Sequence, residues 1–273
     1  KIIKAPILEE FVKNTNFITV GKNGIFTTLK SCCDYIKNNN IYGSTVLVQP
    51  GVYNLVTEFG NDYLNNITSD GLYVGNDTHF IFTEGALVTF IYDGTNPKAA
   101  EHFAPFNIYG SCTLENLNVE VTNARYCIHE DVPTTSTEPY FYVVKYINCS
   151  MKHNGATVST GTHSGYACIG AGTNKNTVSI IDGGIYNGNW TADISYHNYN
   201  GAAPSKVILN NVYMEHGLRL YDYGNSNVDV TISNCHMPSL TGTYTKFNIT
   251  FYNNTCKIKM QINEKGGKPQ KAS

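Results

Sequence analysis

The chain is poor in charge. Only 15% of its 273 residues are Asp, Glu, Lys or Arg, against about 25% in an ordinary soluble domain. Arginine is scarcer still, with Arg125 and Arg219 the only two. The formal net charge is −2, so no polycationic surface is available for nucleic acid or an anionic membrane. No run of about 18 apolar residues occurs, so no insertion into a bilayer is expected. The opening residues Lys1-Ile2-Ile3-Lys4-Ala5-Pro6 lack the apolar stretch of a signal peptide. No Cys-x-x-Cys is present and the eight histidines are dispersed, which argues against a metal centre or a cofactor.

Asparagine, glycine, threonine and tyrosine take the place of charge, with roughly thirty Asn, 24 Gly and 20 Tyr. Asn and Gly are poor in helix interiors, whereas Thr, Tyr, Val and Ile favour strands. An apolar content of 41% is too high for a disordered chain. The eight cysteines suggest a disulfide framework by count alone, but a chain of this length does not need such staples.

The first informative stretch runs from Phe17 to Tyr53. Phe17-Ile18-Thr19-Val20 reads as a strand and Gly21 as a turn. Phe26, Leu29, Cys33 and Ile36 then share one helical face, which predicts a helix over about 26–38. Cys32 and Cys33 are adjacent, with one of them facing in. Asn38-Asn39-Asn40 stops the helix, and Thr45-Val46-Leu47-Val48 begins a buried strand closed by Pro50-Gly51-Val52-Tyr53. Further on, short segments align as repeats. Asn116, Asn148, Asn211 and Asn234 each precede an apolar residue, at separations that fit a coil of roughly twenty-odd residues with variable loops, and Gly184 fills the gap. Successive coils about 4.8 Å apart would let stacked amides bond to one another. Asn also tolerates the left-handed backbone that a tight corner demands.

Strand, Gly turn, Phe-Thr-Thr-Leu helix, strand and Pro-Gly-Val-Tyr together resemble the first coil of the pectate-lyase-like superfamily. The resemblance implies an all-β fold, a right-handed single-stranded parallel β-helix with an N-terminal capping helix. One such domain is expected over residues 1–258, followed by a polar tail or linker at 259–273. The family's catalytic motifs are missing. There is no Asn-Thr-Asp with Gly-His-Gly, no Arg-x-Pro-x-x-Arg and no Asp-Pro-His-Glu, so no catalytic residue carries over.

A second strand follows each Asn strand. The alignment places Ile128, Ile169, Ile194 and Leu220 in one inward row. Alternation then turns Cys127, Cys168, Asp193 and Arg219 outward on one side, and His129, Gly170, Ser195 and Tyr221 on the other. On this surface Glu130, Asp131, Asp193 and Asp222 are the candidate catalytic acids. His129, Ser195, Tyr196, His197, Arg219 and Tyr221 are the candidate substrate-binding residues. Asp193 and Arg219 fall on adjacent coils within ion-pair reach, and acids beside an arginine suit acid–base chemistry on a sugar. Trp190 lies just before this face, and flat amphipathic rings suit sugar contacts. Cys149 and Cys235 should point inward as free thiols, and Cys127 and Cys168 should also remain free.

In kind the chain most resembles bacteriophage tail spikes and appendages. That resemblance implies a virion protein made in the host cytoplasm. It would bind a bacterial surface polysaccharide or teichoic acid as a homotrimer, with or without depolymerising it. The alternatives are a secreted polysaccharide lyase or glycoside hydrolase, and a non-catalytic structural segment of a spike.

Overall fold

A computed structural model describes residues 16–66, 71–94, 96–130, 141–157, 166–173, 177–198, 205–243 and 245–256. Its strands form three parallel sheets, visited in rotation as the chain advances, in a β-helix-like solenoid. Sheet A holds nine strands, from Phe17–Val20 and Thr45–Val48 through Thr78–Phe82, Cys112–Glu115, Tyr142–Ile147, Thr177–Asp182, Ser205–Asn210 and Val228–Ser233 to Phe247–Tyr252. Sheet B holds six, from Gly51–Asn54 to Tyr213–Met214. Sheet C holds seven, including Phe106–Ile108, Ile128–Glu130, Ile169–Thr173, Ile194–Asn198, Leu218–Tyr221 and Leu240–Thr243.

Alternation sets the core. In Thr78-His79-Phe80-Ile81-Phe82 every second residue is buried, and Val228, Val230 and Ile232 repeat the pattern. Each fully buried Val, Ile, Leu or Phe contributes roughly 1.5–3 kcal/mol, and the buried rows of all three sheets form one continuous core.

The asparagine row marks the corner after sheet A. Asn116, Asn148, Asn211, Asn234 and Asn253 all have φ between 50° and 57°. The vacant place in the row belongs to Gly183 (φ 75°), one residue before the expected Gly184. The ladder bonds fix this, because Asn148 N donates to Asp182 O and Gly183 N to Asn210 O. The amide ladder is only partial. Asn253 Nδ2 donates to Asn234 Oδ1 at 2.5 Å, Asn234 Nδ2 to Asn210 Oδ1 at 2.8 Å, and Asn210 Nδ2 to Asp182 Oδ1 at 2.8 Å. The left-handed backbone is thus the constant requirement of the row, and side-chain stacking is local.

The helix spans Leu29–Asn38, not 26–38. Phe26 is still bridged to Val20 as strand, and Thr28 supplies the N-cap by accepting from Ser31 N. Leu29, Cys32, Cys33 and Ile36 are buried, so both cysteines face in.

Two expectations about sheet C need correction. Ile194 pairs with Leu218, not Leu220, so Ser195 lies beside Arg219 and His197 beside Tyr221. Leu218 and Leu220 are two apart and face the same way, so sequence pattern cannot choose between them. Asp193 and Arg219 therefore do not meet. Cys127 and Cys168 are fully buried rather than outward. They lie just before their strands, at the corner with sheet B, where Cys168 Sγ reaches Met151 O at 3.4 Å. All eight cysteines are free thiols, and Cys149 and Cys235 are buried as expected. Among the described residues no helix is long and apolar enough to cross a membrane.

Candidate functional site

The outer face of sheet C carries the row Asn107, His129, Gly170, Ser195, Arg219 and Thr241, each beside the next. Gly170 leaves room for an aromatic ring. A Cβ there would lie 2.3 Å from the Tyr126 ring, so that ring lies across the strand. Arg125 sits 4.9 Å from the Tyr126 centroid, and the Tyr126 and His129 rings stack at 5.7 Å. Two coils along, the Arg219 guanidinium lies 4.8 Å from the Trp190 ring and 4.6 Å from the Tyr221 ring. Both arginines of the chain are therefore held by aromatic rings.

Asp193 immediately precedes the strand Ile194–Asn198, which carries Ser195, and it is fully buried. It accepts four hydrogen bonds, from Gly188 N (2.7 Å), His216 N (2.7 Å), Gly217 N (3.0 Å) and His216 Nδ1 (2.9 Å). Gly217 makes the turn possible. Its φ is 128°, and a Cβ there would come within 2.1 Å of the Ser239 carbonyl oxygen. The backbone amides commit both carboxylate oxygens to accepting, so His216 carries its proton on Nδ1 and turns Nε2 away. The His216 side chain is 40% exposed.

That imidazole lines an open cleft of about 540 Å³ together with Lys152, His153, Asn154, Asn187, Gly188, Asn189 and Trp190. Lys152 is held by Glu120 at 3.0 Å, and the same carboxylate oxygen accepts from Asn154. His153 is a wall and not a ligand. Its Nε2 contacts Ala124 O at 2.8 Å, its Nδ1 accepts from Gly155 N at 2.9 Å, and burial pushes its pKa down to about 4. Among the described residues no carboxylate lines the cleft.

Other expected site residues lie elsewhere. Glu130 is fully buried and faces the interior, because His129 takes the outward position of that strand. Its Oε2 accepts from Tyr146 OH and Ser179 Oγ, both at 3.0 Å, while Oε1 has no partner among the described residues. Burial raises its pKa to about 7 against the two hydroxyl bonds, which lower it. Tyr196 is likewise buried, with its hydroxyl 2.6 Å from Ser179 Oγ. Neither residue can touch a ligand on the surface.

Asp222 is tied into the next coil, accepting from Thr245 N at 2.7 Å and from Thr245 Oγ1 at 2.6 Å. His197 faces out and meets Tyr223 edge to face at 5.7 Å. Asp131 and the tail at 259–273 lie outside the described residues. The structure thus brings Ser195, Arg219 and Tyr221 together with Trp190, and gives Asp193 a different partner. His216, Asn187 and Asn189 were not anticipated. Their signal was Glu215-His216-Gly217 preceding Leu218, which becomes readable once Leu218 is set beside Ile194. No family model matches the chain, and neither the curated proteins nor the solved structures contain a match.

Proposed function

We propose that this protein is a glycan-binding solenoid of the bacteriophage appendage kind, which attaches to a bacterial surface polysaccharide or teichoic acid. The observation that carries the reading is the cleft, in which three asparagine amides, an imidazole and an ammonium group surround one indole ring. Amides offer a donor and an acceptor to sugar hydroxyls, and an indole face covers the apolar face of a sugar ring. The scarcity of charge elsewhere and the Asn-, Gly- and Tyr-rich coils agree with a spike segment. On this reading the helix Leu29–Asn38 closes the first coil of a single-stranded β-helix, and three copies assemble.

The test is a binding screen of the purified protein against wall and capsule polymers from a range of bacteria, with sizing in parallel. Saturable binding to one polymer by a particle of three chain masses is expected. No binding to any envelope polymer would sink the reading.

A second reading, that the cleft also cuts the glycan, has one observation in its favour. Asp193 orients His216 so that Nε2 is available as a general base. Hydrolysis by a pair of carboxylates is disfavoured, because the buried Asp193 is fully occupied and no carboxylate among the described residues lines the cleft. His216→Gln should then abolish depolymerisation and keep binding. Unchanged turnover would dismiss the imidazole as the base.

A further inference from the structure

We propose that the glycan is anionic and lies along the outer face of sheet C, held by Arg125 and Arg219 as two separate anion anchors. The inference rests on reading that face as a glycan surface and adds the charge and direction of the ligand.

An arginine on a protein surface ordinarily finds a carboxylate. Here neither of the two forms an ion pair with a described residue, although the chain has 21 acidic residues against 19 basic ones. Both are instead laid against rings, Arg125 on Tyr126 and Arg219 between Trp190 and Tyr221. Stacking fixes the plane of a guanidinium and leaves its N–H edge to bind a planar or tetrahedral oxyanion.

The outward strand positions described between the anchors hold no acid. His129, Gly170, Ser195 and Arg219 form one outward row, and Gly172, His197 and Tyr221 form the next. The nearby Asp193 and Asp222 are both engaged by hydrogen bonds within the fold. Among the described residues of those rows, a polyanion following this face therefore meets no repelling carboxylate. Because the Tyr126 ring covers Gly170, the anchors are two to three strand spacings apart, about 10–14 Å. That spacing suits a polymer whose carboxylates or phosphates recur every second or third unit, and two anchors on one chain bind far more tightly than either alone. Lys152 in the adjoining cleft adds a further N–H donor near Trp190.

The experiment is calorimetric titration of the whole protein with three oligomers of matched length. These are a poly(glycerol phosphate), an oligogalacturonate and an uncharged dextran. One of the two anionic oligomers should bind at least tenfold more tightly than dextran, and which one binds distinguishes phosphate from carboxylate. Arg125→Gln and Arg219→Gln should each weaken that binding at least tenfold, and Arg219→Lys should not restore it. Dextran binding as well as the anionic oligomers, or Gln variants binding like the wild type, would overturn the proposal while leaving the glycan reading intact. Binding of none of the three would overturn the proposal, while the screen of envelope polymers decides the glycan reading by itself.

Discussion

Asp193 and Glu130 are both carboxylates with no exposed surface, yet the fold treats them differently. Asp193 stands at a corner, where the chain turns between sheets and leaves amide groups unspent. Three backbone N–H groups and an imidazole converge on it. Glu130 stands inside the coil stack, where every backbone group of the surrounding strands is already paired in a ladder. It is left with two hydroxyls and one oxygen unpartnered among the described residues. A parallel solenoid can therefore satisfy a buried acid at its corners but not within its lumen. The corner acid positions a surface imidazole, and the lumen acid titrates.

The largest expected effect breaks the corner. Asp193→Ala removes the acceptor for four N–H groups at once, and losing one partner of a buried polar network costs about 3–5 kcal/mol. Urea unfolding should show that loss, together with a changed environment for His216. A loss under about 1 kcal/mol would mean that water replaces the carboxylate and that the corner is not special.

The next effect concerns pH. Glu130 titrates near 7 when folded and near 4.5 when free, so the folded state retains a proton that the unfolded state releases. Its contribution is intact below about pH 4.5 and is lost as pH rises through 7, a change of about 3 kcal/mol. His153 works in the opposite sense. Its pKa falls from 6.5 to about 4, so its contribution is present above pH 6.5 and lost as pH falls through 4. The two slopes oppose each other between about pH 4.5 and 6.5. Glu130→Gln should expose the His153 slope, so that the stability difference between variant and wild type grows in favour of the variant from pH 4 to 8. Thermal melts across that range decide the matter, and parallel curves for the two proteins would contradict it.

A smaller effect sharpens the lumen side. Ser179→Ala removes one of the two hydroxyl bonds that lower the Glu130 pKa. Stability should drop by about 1 kcal/mol near neutral pH, and the pH-dependent decline should begin at the same pH but extend to higher pH. A decline that ends at the wild-type pH or lower would show that Ser179 does not serve the carboxylate.

Much of this architecture is legible in the sequence, for a physical reason. A solenoid repeats one coil, so the asparagines that tolerate a left-handed corner recur, and alternation assigns the inward rows. What pattern supplies is register only modulo two. Leu218 and Leu220 are equivalent to any hydrophobic template, and choosing the wrong one paired Asp193 with Arg219 and concealed His216. Nor does alternation extend unchanged to the residue just before a strand. Cys127, Cys168 and Asp193 sit where one sheet gives way to the next, and there all three turn inward. Glu130 is expected on the outer surface because its chemistry assigns an ionisable residue there, although its strand position, next but one to buried Ile128, points in.

The most direct test of the account uses the protein's one tryptophan. Trp190 lines the cleft and carries Arg219 on its ring, so its emission reports occupancy of the proposed glycan site. Titration with a bacterial envelope polymer that the protein retains should shift Trp190 emission saturably, with a midpoint equal to the calorimetric Kd. A polymer that binds by calorimetry while leaving Trp190 emission unchanged would place the ligand elsewhere on the solenoid and contradict the account.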